Sequence, residues 1–146
     1  MDESWQHPRW GIEFDWLATD TLGSVALLSS AGYGAVPPVV IQHVDQVDDA
    51  VDIIGQLPAT GAATDVITPQ PGGDYSDWHQ AAARGLYAYD WHQSHGPYQR
   101  LASPTKPMSI DELPPSVKAA AQLIKISIPF STADSITIDL LTDPPH

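Results

Sequence analysis

The sequence predicts an α+β fold: a single largely antiparallel sheet, built from hairpins, packed with two or three helices. Three observations carry this. Short apolar or alternating segments outnumber helical ones. They come in neighbouring pairs joined by turn residues. Two longer segments repeat their apolar residues at helical spacing. With 146 residues the chain reads as one globular domain, 1–146, with a loose tail from about residue 142.

Trp10, Ile12, Phe14, Trp16 and Ala18 alternate with Gly11, Glu13, Asp15 and Leu17, which predicts a strand with one buried, aromatic face. Thr21-Leu22-Gly23 supplies a turn. Val25–Leu28 is apolar on both faces, so a hairpin across 12–29 is expected. Ser29 to Pro38 reads as a loop punctuated by Gly and Pro. Val47, Ala50, Val51, Ile54 and Leu57 then fall on one helix face, with Asp45 as the expected N-cap and Pro58 at the exit. Residues 58–74 read as a long loop with a short strand at Asp65–Thr68, followed by a short helix around Ser76–Arg84.

Leu86–His92 predicts a strand with Tyr87, Tyr89 and Trp91 on one face. It turns through 93–97 into a partner over Tyr98–Ala102. Ser109 and Glu112 have capping-box spacing, and Pro114-Pro115 leads into a helix over Val117–Lys125. Ile126–Phe130 and Ile136–Leu140 read as closing strands, with Pro129 favouring an edge. The repeated Asp-Trp-His-Gln at 77–80 and 90–93 falls on a helix and at a strand end, so it marks no structural repeat.

Eighteen acids against six Lys/Arg give a net charge of -12. Direct binding of nucleic acid or an anionic membrane is excluded as an expectation, because phosphate contacts need clustered bases. Residues 1–73 carry ten acids and one base, and no Lys or Arg lies between Arg9 and Arg84. Absence of cysteine removes disulfides and thiolate chemistry. The N-terminal stretch lacks a basic n-region and an apolar h-region, and no apolar run approaches a span of about 20 residues, so a cytoplasmic protein is expected.

Asp45, Asp48, Asp49 and Asp52 share the helix face opposite the apolar one. Like charges at i,i+4 cost roughly 0.2–0.5 kcal/mol per pair, and no lysine on the helix offsets them. A cationic partner would remove that cost; an ordinary solvated face, halotolerance or compositional drift would leave the same residues. Tyr33 between glycines, and Trp78 beside Asp74 and Asp77, are candidate aromatic anchors in an acidic frame. Core packing is the competing reading for Trp78.

Catalytic patterns are thin. Asp90, His92 and His95 could gather a metal or serve a metal- or carboxylate-dependent hydrolase, with His79 as an outside ligand, but no HExxH-type spacing is present. Glu13 and Asp15 share a strand face, as half-exposed strands commonly arrange. Ser30 to Gly34 matches neither a nucleophile elbow nor a phosphate loop. The expectation is therefore no catalytic residue, no metal and no cofactor.

Glu13-Phe14-Asp15-Trp16-Leu17-Ala18 through Ser30-Ala31-Gly32-Tyr33-Gly34-Ala35-Val36-Pro37 resembles the N-terminal block of small bacterial proteins often found beside toxins. Arg84-Gly85-Leu86-Tyr87-Ala88-Tyr89-Asp90-Trp91 is similar to their C-terminal block. So are Pro97-Tyr98, Ala102-Ser103-Pro104 and Ile110-Asp111-Glu112-Leu113-Pro114. The resemblance implies an immunity protein of a polymorphic-toxin system, one that neutralises a cognate toxin by direct binding. A basic toxin such as a nuclease would suit the charge, and the family lends no catalytic residues.

Overall fold

The computed structural model of the protein describes residues 14–31, 34–65, 76–91 and 96–137. Among them six strands form one sheet, ordered β1-β2-β4-β5-β3, with β6 also paired to β5. The strands are β1 (Asp15–Thr19), β2 (Val25–Ser29), β3 (Ala63–Asp65), β4 (Tyr87–Asp90), β5 (Tyr98–Pro104) and β6 (Ser135–Ile136). The helices are α1 (Pro38–Gln42), α2 (Val44–Gly55), α3 (Ser76–Ala83) and α4 (Pro115–Ala121). This is the expected α+β architecture. Four of the five strand pairings are antiparallel, and four helices stand where two or three were expected.

Both hairpins form. β1 pairs with β2 from Asp15↔Ser29 to Thr19↔Val25, closed by a turn at 20–24. β4 pairs with β5 through an irregularity between Ala88 and Tyr89, which shifts the register. Between the hairpins, β2 and β4 run parallel, with Leu28 opposite Tyr89. A parallel pair needs a crossover, and α1, α2, β3 and α3 supply it.

Register then sorts the side chains. Trp16, Leu28, Tyr89 and Arg100 form one row across four strands, and Leu17, Leu27, Ala88 and Ala102 form the row on the opposite face. The aromatic side is fully buried at Phe14, Trp16, Tyr89 and Tyr98. Phe130 covers it, its ring 5.7 Å from Tyr87 and 5.8 Å from Tyr89. On the other side Ala88 and Ala102 pack with Ala82 of α3, flanked by Ala63 and Trp78. Tyr87 and Tyr89 thus share an environment that Ala88 does not, as alternation predicts. Trp91 joins the aromatic side through Tyr98, at 5.0 Å.

Several local expectations are corrected. Alternation on β1 does not bring a solvated face, because all residues after Asp15 are buried. The Pro37-Pro38 stretch does not simply stop the chain. Pro38 opens α1 at its first turn, where the missing N–H costs nothing, and Val40 is buried. Asp45 is not the N-cap of α2. His43 occupies that position, its backbone oxygen already accepting the Val47 N–H at 3.0 Å, and Asp45 sits in the first turn. The short strand lies at Ala63–Asp65, meeting the expected segment only at Asp65.

The last helix ends at Ala121, short of Lys125. The sheet edge competes for the backbone there: Thr19 donates its N–H to Ile124 O, and Ile126 donates to Thr19 O, both at 2.9 Å. Ile126–Phe130 is accordingly no strand. The isolated bridge to β1 falls one residue earlier, at Lys125 opposite Thr19, and Phe130 begins a 3-10 turn, 130–132. The Ser109/Glu112 capping box is present and caps a 3-10 turn at 110–112. Trp10, Ile12, Glu13 and the stretches 66–68, 138–140 and the tail lie outside the described residues.

Candidate partner-binding face

α2 is amphipathic in the expected sense. Val47, Ala50 and Ile54 are buried, and no basic residue sits in its last turn. The four aspartates do not behave alike. Asp45, Asp49 and Asp52 are exposed, whereas Asp48 is half-buried and holds an interaction of its own. Among the described residues no cation pairs with Asp45, Asp49 or Asp52. The ion pairs found there are Arg100–Asp134 at 3.0 Å and Lys118–Asp111 at 2.9 Å.

The stripe borders a groove. Pro114-Pro115 fixes the start of α4, with Pro115 as its first residue. The small buried residues Ala120 and Ala121 let α4 pack against α2. Between the two helices lies an open groove of about 640 Å³, lined by Gln46, Asp49, Ala50, Asp52, Ile53 and Ser116. Lys118, the base of α4, is drawn away to Asp111 and is absent from the lining. Periodicity alone marked the aspartates; Ser116 and the groove come from α2–α4 packing, for which the sequence carries no signal.

The remaining anchor candidates separate. Trp78 is half-buried against the alanine cluster of α3, β4 and β5, the core duty weighed against an exposed role. Asp77 is exposed in the first turn of α3, where a negative charge suits the helix dipole. Tyr33 and Asp74 lie outside the described residues.

Of the hydrolase candidates, Asp90 is buried at the end of β4, and His92 and His95 lie outside the described residues. Register aligns Asp15, Ser29, Asp90 and Gln99 across four strands at that end of the sheet. Asp15 and Asp90 each have interactions there. Tyr98 lies close by, accepting the Trp16 indole N–H at 3.1 Å and donating to Ala35 O at 2.8 Å. Burial pushes its phenol well above the ordinary range; the Trp16 hydrogen bond opposes this, and the charges of Asp90 and Asp15 add to it. A proton held that firmly suits a structural hydrogen bond rather than acid–base exchange near neutrality. Among the described residues no group of three or more His, Asp or Glu is placed to hold a metal ion.

A carboxylate that the sequence reading passed over organises the β1–β2 turn. Asp20, 2% exposed, accepts the N–H groups of Leu22 at 3.0 Å and Ser24 at 2.9 Å through Oδ1. Its Oδ2 accepts the Phe130 N–H at 2.8 Å. Asp at the first position of a turn was the available signal.

No protein-family model, curated protein or solved structure matches this chain.

Proposed function

We propose that this chain is a non-catalytic binding protein whose acidic α2 face engages a basic protein, acting as an immunity protein that neutralises a cognate toxin in the cytoplasm. The observation that carries the reading is the set of exposed aspartates 45, 49 and 52, which have no cation beside them among the described residues. Unpaired like charges on one helix lose nothing, and gain attraction, when a cationic surface approaches. The charge of -12 gives a long-range field that speeds encounter with such a partner. The immunity role rests on the sequence resemblance. Among the described residues no helix is long and apolar enough to cross a membrane.

The test begins with the open reading frame immediately upstream. Its expression is expected to arrest growth, and co-expression of this chain to restore it. The purified pair should associate quickly at low salt. The combined Asp45→Asn, Asp49→Asn, Asp52→Asn variant should associate about tenfold more slowly, with a flatter salt dependence. Wild-type association by that variant at low salt would remove the acidic face from the mechanism. One zinc or iron per chain, lost in His92→Ala, would replace the binding reading by the Asp90/His92/His95 hydrolase.

A further inference from the structure

We infer that the α2–α4 groove, rather than the acidic face as a whole, is the seat of the contact, and that it takes an amphipathic helix of the basic partner. The inference rests on the binding reading above and names the occupant. The lining combines two kinds of group. Ala50 and Ile53 give an apolar floor, while Asp49 and Asp52 supply negative charge along α2 and Ser116 is exposed on α4. A helix laid between two helices presents a ridge at i, i+3, i+4 spacing, which is the natural filling for such a channel. An aliphatic residue would cover Ala50 and Ile53. Lysines or arginines beside it would reach Asp49 and Asp52, their methylene stems lying along the floor.

Charge complementarity selects the partner. The chain's own nearby base, Lys118, is held by Asp111 at 2.9 Å, so the groove has no internal counter-ion among the described residues. The strongly negative chain repels nucleic acid and anionic bilayers and attracts a basic protein. Asp48, half-buried and already engaged, falls outside the lining, so it is expected to contribute less than Asp49 and Asp52. Asp45 likewise lies outside and acts only through the field.

The full chain can be probed with a synthetic amphipathic helical peptide of leucine and lysine. Two controls accompany it: a lysine/serine peptide of equal charge, and a leucine/glutamate peptide. The expected result is amide shift changes centred on Gln46, Asp49, Ile53 and Ser116. The lysine/serine peptide should bind at least about tenfold more weakly, because it leaves the floor uncovered. Ser116→Trp should fill the channel and weaken binding at least about tenfold, with remote amide signals unchanged. Ser116→Arg, which brings a guanidinium to the same lining, should repeat the loss. Equal binding of the two lysine peptides, shift changes elsewhere, or no binding by the wild type would each overturn the groove. If both Ser116 variants bind as the wild type while the Asp45/Asp49/Asp52 variant does not, the groove falls and the acidic face stands.

Discussion

Asp20 shows how one side chain can join parts of the chain far apart in sequence. Its carboxylate serves two turn amides and, from 110 positions away, the amide that opens the 130–132 turn. Hydrogen bonds to a charged group contribute roughly 1.5–3 kcal/mol each, and a buried N–H left unpaired costs roughly 1–3 kcal/mol. Asp20→Ala orphans the buried Phe130 donor and leaves two part-buried turn amides to water, and is expected to destabilise by about 2–4 kcal/mol in urea unfolding. Asp20→Asn keeps one acceptor oxygen and should lose about half as much. A loss under about 1 kcal/mol for the alanine variant would mean that the 130–132 turn is held over the aromatic face by other contacts. Glycine matters at Gly34, where a Cβ would stand 2.5 Å from Trp91 Cγ and 2.8 Å from Ser30 O. The loop after β2 can close over Trp91 only because no side chain is there.

At the scale of elements, α2 is stabilised by its buried stripe and not by its charges. Replacing Asp45, Asp49 and Asp52 by Asn removes unpaired like charges from an exposed face. Stability should therefore change by less than about 0.5 kcal/mol, or rise slightly, with the denaturant midpoint as the check. A larger loss would mean that those carboxylates hold structure, and the binding defect of the variant would need another cause. The same element marks what could be read in advance. Its period, its apolar face and its aspartates were legible because helix geometry follows from local spacing. Its first residue was not: a one-residue junction after α1 puts His43, instead of Asp45, at the cap. Helix α1 went unread because Val39, Val40 and Ile41 are β-branched and follow two prolines, a pattern that suggests extended chain as readily as a helix start. The end of α4 went unread because the β1 edge, more than one hundred positions earlier, captures Ile124 and Ile126. Both hairpins were legible; the parallel joint between them was not, since nothing local states which strand lies beside which.

For the whole molecule, the phenols set an upper pH limit. Burial raises the pKa of Tyr89, with the Arg100 charge opposing, and burial likewise raises that of Tyr98; Tyr87 moves the same way. The unfolded chain ionises these groups near the ordinary tyrosine value of about 10. A folded pKa above the unfolded one means that the contribution is complete below about pH 10 and is lost as pH climbs toward the folded value. The fully buried Tyr89 and Tyr98 should then each lower stability by about 1.4 kcal/mol per pH unit above that point. Urea midpoints should be level from about pH 8 to 9 and fall steeply above about pH 10, with less of a fall in Tyr89→Phe. A level profile to about pH 11 would show that the phenols ionise in place.

The parallel seam between β2 and β4 also sets the order in which the molecule can assemble. Leu28 meets Tyr89 sixty-one positions on, whereas the first hairpin closes between Thr19 and Val25. Loop-closure entropy makes the longer span dearer by about 2 kcal/mol, so each hairpin can form before the seam zips. In that interval β2 and β4 both expose unpaired edges bearing the apolar Val25–Leu28 and Tyr87–Tyr89. The charge then has a second use. With nine net negative charges on residues 1–73, half-assembled molecules repel one another before their edges can meet. Refolding yield should consequently fall as salt is raised, even where the finished protein is just as stable. A yield indifferent to ionic strength would leave the acidity to the partner alone.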